Sequence, residues 1–185
     1  MKAEQISDED LLRAFARGRK AALAELARRY ERPLLGFATG LLAGRNDRVA
    51  CDVVQETWLR VIRYAESFDG RSGFKTWLYR IAINQCRSVW SARPEPVSSE
   101  AAAARADPGA GPDRQTQDAE LADQVRLAVA QLPPEQRLVV LLCYHSGMRH
   151  EQAAEILELP LGTLKSRLHA ALRELRERLS AETKP

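Results

Sequence analysis

Residues 91–119 read SARPEPVSSEAAAARADPGAGPDRQTQDA, with four prolines, two glycines and almost no large apolar side chain. Such a stretch cannot bury enough surface to offset the entropy of ordering it. It divides the 185-residue chain into two parts that must each build a core. The expected organisation is a domain over 1–91, a flexible linker over 92–118 and a second domain over 119–185. Within the linker, EAAAARA can form a transient helical turn.

Both flanking parts carry helical spacing, and no alternating strand pattern competes. The expected fold is all-α. Ser7 and Asp10 form a capping box opening DEDLLRAFARG. A second helix begins near Lys20, with Pro33 expected to kink or restart it before Gly44 ends it. A third runs from about Asp47 to Ser67 with Val54, Trp58, Val61, Ile62 and Ala65 on its apolar face. A fourth follows Ser72 as N-cap, burying Phe74, Trp77, Leu78, Ile81 and Val89. In the second domain a helix over about 118–131 stops at Pro133-Pro134. EQRLVVLLCYH comes next, and SGM supplies a glycine stop. Then RHEQAAEIL, the turn ELPLG and a long last helix complete a helix-turn-helix. Ala153 and Ala154 are small where the two helices must cross, and Ile156, Leu159 and Leu164 fill the wedge between them. Pro160 forbids one continuous helix.

The last helix has an uneven surface. Leu164, Leu168, Leu172 and Leu175 make an apolar stripe, while Thr163, Lys165, Ser166, Arg167 and His169 precede the first acid, Glu174. In a helix-turn-helix the second helix enters the major groove N-terminus first, so acids there would repel phosphates. Lys165, Arg167 and Arg173 can neutralise phosphates, and Lys165, Ser166 and His169 can reach base edges. A solvated face on a helical hairpin is the bland alternative. The formal charge of +3 is too small to argue a nucleic-acid partner without such clustering.

A second cluster lies in the first domain. Arg60, Arg63, Arg71, Lys75, Arg80, Arg87 and Arg93 face only Glu66 and Asp69, and Tyr64, Phe68, Phe74, Trp77, Tyr79 and Trp90 are interleaved. Cations with aromatics suit single-stranded nucleic acid. Phe74 and Trp77 also sit on the apolar stripe and read as core; Tyr79 and Trp90 stay open.

The three cysteines, Cys51, Cys86 and Cys143, form no CxxC pair and no disulfide framework. The acidic N-terminus lacks a signal-peptide pattern, and no run approaches the ~18 apolar residues of a membrane span. A cytoplasmic protein without membrane insertion is expected. No phosphate loop, catalytic carboxylate pair or nucleophile motif points to an enzyme or a small-molecule substrate. Cys143 and His145 are about 200° apart on a helix, poor chelating geometry, so no metal site or cofactor is expected.

CDVVQETWLRVIRYAESFDGRSGFKTWLYRIAINQCRSVW and LPPEQRLVVLLCYHSGMRHEQAAEILELPLGTLKSRLHAALRELRERL resemble the two main regions of extracytoplasmic-function (ECF) sigma factors of bacterial RNA polymerase. The resemblance covers nearly everything outside the linker. It implies a sigma-2 helical bundle, a linker and a sigma-4 helix-turn-helix domain, in a dissociable subunit that binds core polymerase and promoter DNA. By that resemblance Asp52, Gln55, Glu56, Arg60 and Arg63 dock on the coiled coil of the β′ subunit, and the β subunit is a further partner. Asn84, Arg87 and Ser88 lie near a pocket for a flipped −10 base, with Lys75 and Arg80 on phosphates; Asn84 can equally be structural. Thr163, Lys165, Ser166, Arg167, His169 and Arg173 read the −35 element. Many members carry Arg where this chain has Ala170, which should weaken binding and flatten its salt dependence. The partly acidic linker (Glu95, Glu100, Asp107, Asp113) would thread toward the RNA exit path. Control by an anti-sigma factor is expected, with no further regulatory domain after the last helix. The competing reading is a helix-turn-helix regulator acting without polymerase docking, which leaves the first domain without a task.

Overall fold

A computed structural model describes residues 6–43, 45–91 and 115–182, and every long element among them is a helix. Helix α1 spans Asp8–Ala16. The Ser7 hydroxyl accepts from the Asp10 amide at 3.1 Å, and Asp8, Glu9 and Asp10 crowd the first turn, where the helix dipole favours anions. Gly18, at φ 92°, makes the left-handed turn into α2 (Lys20–Leu41). One helix runs through Pro33, so the expected restart does not occur. Ion pairs of Arg29 to Glu25 (2.8 Å) and to Asp8 of α1 (2.7 Å) tie down the turn before the proline. The end expected at Gly44 lies outside the described residues; the helix stops at Leu41.

Asn46 caps α3 (Asp47–Tyr64) by accepting from the Arg48 amide at 3.0 Å, and a tight 3-10 turn over Ala65–Ser67 follows. Val54, Val61 and Ala65 are buried as expected and Trp58 is half-buried, but Ile62 is not on the inner face: it is 46% exposed, beside Leu59 at 57%. Helix α4 (Phe74–Ser91) starts two residues after Ser72. The cap role given to Ser72 falls instead to Glu9 of α1, whose Oε1 accepts from the Phe74 amide at 2.8 Å. Phe74 and Tyr79 are fully buried, Phe74 edge-on to Tyr30 and Tyr79 edge-on to Phe37. Tyr79 is therefore core rather than a stacking platform, and Trp90 is half-buried.

In the second module α5 spans Gln115–Ala130, so residues 115–118, at the end of the segment read as linker, are helical; residues 92–114 lie outside the described residues. Pro134 opens α6 (Pro134–Val140) at a position where its missing N–H costs nothing. A wider π turn, Leu141–His145, extends α6, and Gly147 at φ 59° ends it. Helix α7 (His150–Leu157) and α8 (Leu161–Glu182) form the helix-turn-helix. Ala153 and Ala154 are buried where the helices cross, with Ile156 and Leu164; Leu159 is half-buried. Along α8, Leu164, Leu168 and Leu175 are buried, but Leu172 is 37% exposed and Ala171 takes the inward position. The buried residues of both modules join in one apolar cluster.

Candidate nucleic-acid interface

The turn between α7 and α8 aims the last helix. Glu158 adopts the left-handed conformation (φ 55°), and the Leu159 amide then donates to the Ala154 carbonyl at 3.0 Å, closing the end of α7. The Pro160 carbonyl accepts from the Leu164 amide at 3.1 Å and starts α8. Buried Leu164 and Leu168 hold one side of α8 on the core, which turns Lys165, Ser166, His169 and Arg173 outward; all four are exposed. Thr163 is half-buried, and its carbonyl accepts from the Ser166 hydroxyl at 3.0 Å. Arg167 is half-buried and ion-paired with Glu135 of α6 at 3.0 Å. The expected cationic face thus forms one surface, with Arg167 partly engaged. Ala170 lies at a shallow depression with Gln136, Arg173, Glu174, Glu177 and Arg178, where both charge signs meet.

On α4 the candidate residues divide. Asn84, Arg87 and Ser88 are exposed on the C-terminal half, where the Ser88 hydroxyl donates to the Asn84 carbonyl at 2.9 Å. Lys75 and Arg80 are turned toward the second module. The Lys75 ammonium donates to the Ser146 carbonyl, and burial pulls its pKa below the usual lysine value. Arg80 pairs with Glu155 of α7 at 3.2 Å. Nothing in the spacing of α4 signals these two partners, which lie on other elements.

The α3 surface carries Asp52, Gln55 and Arg63, all exposed, and Glu56 paired with Arg60 at 3.1 Å. Leu59 and Ile62 stand among them, an apolar strip rimmed by charge that the helical pattern assigned inward in part. Among the described residues no group of three or more His, Cys, Asp or Glu could hold a metal ion, and no helix is long and apolar enough to cross a membrane.

Two helical modules, one presenting a recognition helix with a cationic face, define a DNA-binding transcription factor. The family models "Sigma-70 region 2" and "Sigma-70, region 4" match residues 26–93 and 122–175. The chain is 34% identical to the ECF RNA polymerase sigma-E factor of Haemophilus influenzae, over 91% of this chain and 93% of that protein. It is 31% identical to the RNA polymerase sigma-H factor of Pseudomonas aeruginosa, over 90% and 91%. Two solved structures share the fold. One is CnrH in complex with the cytosolic domain of CnrY, with a TM-score of 0.72 and 25% identity, covering 95% of this chain and 99% of that one. The other is RpoE of Bartonella quintana in complex with the anti-sigma factor NepR, with a TM-score of 0.65 and 26% identity, covering 85% and 96%. The chain belongs to the sigma-70 family and, within it, to the ECF sigma factors of bacterial RNA polymerase. Sigma factors are transcription initiation factors rather than enzymes: they bind core polymerase, recognise the −10 and −35 promoter elements and direct initiation.

Proposed function

We propose that three surfaces divide the work of this sigma factor. Asp52, Gln55, Glu56, Arg60 and Arg63 on α3 dock on the β′ coiled coil, with Leu59 and Ile62 supplying apolar contact area. Carboxylates beside a glutamine suit a basic partner helix, and complementary charge fixes register. Lys75, Arg80, Asn84, Arg87 and Ser88 on α4 engage the −10 region. Capturing one flipped base there offsets the few kcal/mol that unstacking costs. Thr163, Lys165, Ser166, Arg167, His169 and Arg173 on α8 read the −35 duplex. Residues 92–114 link the modules, so that both can reach one promoter.

The observation that carries this reading is the α8 face: exposed Lys165, Ser166, His169 and Arg173 share one side of a helix held by Leu164 and Leu168. The chain acts without catalytic chemistry and works in the cytoplasm, on polymerase. Of the two solved relatives, CnrH is in complex with the cytosolic domain of CnrY and RpoE is in complex with the anti-sigma factor NepR; the second supports an anti-sigma factor for this chain. The test is run-off transcription with core polymerase on selected promoter DNA. Lys165→Ala with Arg167→Ala should abolish −35-dependent initiation and leave core binding intact. No association of the wild-type chain with core polymerase would favour a regulator that acts alone.

A further inference from the structure

Helix α1 belongs to none of the three working surfaces, and it precedes the residues that match sigma-70 region 2. It nevertheless touches the −10 reader at the start of α4. The first amides of a helix have no partner within it, and the first turn of α4 holds no acid. Glu9 of α1 meets both needs. Its Oε1 accepts from the Phe74 amide at 2.8 Å, and its charge lies where the helix dipole favours an anion. A Cβ at Gly73 would stand 3.4 Å from the same oxygen, so Gly73 leaves room for the carboxylate. Arg13, one turn further along α1, lies on the same side of that helix. A Cβ at Gly70, at φ 72°, would stand 3.9 Å from Arg13 Nη2. Glu9 and Arg13 therefore bracket the turn over 70–73. The brace is itself anchored: Asp8 accepts from Arg29 at 2.7 Å and from the Tyr30 hydroxyl, and Leu11 and Leu12 are buried. On the far side of the turn Trp77 packs on Phe68 with ring centres 5.2 Å apart.

We propose that Glu9 is a positioning residue for −10 strand binding: it fixes the first turn of α4, and with it the placement of Lys75 and the aim of the helix that carries Asn84, Arg87 and Ser88. The proposal rests on the assignment of those α4 residues to the −10 region. A helix that is ordered before it binds gives its contacts without a further ordering cost. Without the Glu9 oxygen the Phe74 amide turns to water and the first turn frays, so strand binding has to order it again. Loss of an N-cap of this kind converts to about five-fold in affinity. What the Phe74 amide requires is an oxygen acceptor, so glutamine can replace Glu9 and alanine cannot. Helix α1 packs on α2, α4 and the 3-10 turn. Core binding through α3 and −35 binding through α8 therefore do not depend on Glu9.

The test uses the full chain, free and assembled with core polymerase, as wild type, Glu9→Ala and Glu9→Gln. Circular dichroism checks that both variants remain helical. In the free chain, hydrogen exchange at the Phe74 amide should be about five-fold faster in Glu9→Ala and near the wild-type rate in Glu9→Gln. The assembled holoenzyme should bind a single-stranded −10 oligonucleotide, taken from a promoter mapped by the run-off assay, about five-fold more weakly with Glu9→Ala. With Glu9→Gln the affinity should return to within about two-fold of wild type. Affinity for core polymerase and for the −35 duplex should agree within about two-fold across all three proteins. Unchanged exchange at Phe74 in Glu9→Ala overturns the brace. Equal losses of −10, −35 and core binding also overturn the proposal, because they mark general damage to the chain. Faster exchange with unchanged −10 affinity overturns positioning if Asn84→Ala with Arg87→Ala, made in the wild-type chain, does weaken −10 binding. If that pair leaves −10 binding unchanged as well, the −10 assignment of α4 fails while the brace, read by exchange, stands.

Discussion

At the scale of single residues, the ion pairs decide how much each cation can give to DNA. Lys165 is exposed, whereas Arg167 is held 3.0 Å from Glu135, itself largely exposed. A surface pair of this kind is worth about 0–1 kcal/mol, and Arg167 must give it up to reach a phosphate. Glu135→Gln is therefore expected to tighten binding to a −35 duplex by up to about five-fold, the equivalent of about 1 kcal/mol. Lys165→Ala should lower the slope of log affinity against log salt by about 1. Fluorescence anisotropy over a salt series reads both. Glu25 gives a second expectation. Hydrogen bonds from Arg28 and then Arg29 hold its carboxyl at about 2, below the ordinary 4.5. A depressed carboxylate stabilises the fold above its unfolded value, and that contribution is lost as pH falls toward 2. The melting temperature of the wild type should drop more steeply between about pH 4.5 and pH 2 than that of Glu25→Gln, and the difference should vanish below that range.

At the scale of elements, the turn between α7 and α8 stores a small strain. Glu158 is the one non-glycine residue with positive φ among the described residues. The left-handed conformation costs an ordinary residue roughly 1–2 kcal/mol, and the larger unfolded-state entropy of glycine offsets part of that. Glu158→Gly is expected to stabilise the chain by about 0.5–1 kcal/mol in urea unfolding, with −35 binding retained. The helices themselves were legible in the sequence because their signals are local. The Ser7 cap, the stop at Gly147, the breaks at Pro133 and Pro160 and the small Ala153–Ala154 crossing each involve residues a few positions apart. The sequence pattern misleads where a distant residue does the work of a near one. Ser72 is the nearest plausible cap for α4, but Glu9 reaches its first amide from 65 positions away. Ile62 and Leu172 satisfy a leucine-type spacing, yet their positions on α3 and α8 have no neighbour to cover them, and Ala171 lies inward instead. Periodicity identifies an apolar stripe; it does not say which edge of the stripe another helix covers.

At the scale of the whole molecule, the arrangement of the modules was not legible at all, since its contacts join residues 71 to 112 positions apart and follow no spacing rule. GFATG, with glycines four apart, is where the second module approaches α2 closely. That arrangement has a thermodynamic consequence. Ala22, Leu34, Phe37 and Tyr79 of the first module and Leu132, Leu138, Leu142 and Leu164 of the second belong to one buried cluster, and Arg137 hydrogen-bonds to both sides of the boundary while nearly excluded from water. If the second module unfolded alone, Leu141 would leave Gly40 and the Leu41 carbonyl would lose its guanidinium partner. Each loss, together with the apolar surface that the boundary then exposes to water, raises the free energy of the half-folded state. Coupling of this kind favours all-or-none unfolding. Scanning calorimetry of the wild-type chain should give one transition whose calorimetric and van't Hoff enthalpies agree. Gly40→Leu, whose Cβ would stand 3.0 Å from Leu141 of the second module, should split it into two, with the lower transition moving independently when the −35 duplex is added. Two transitions in the wild type would mean that the modules fold as independent bodies.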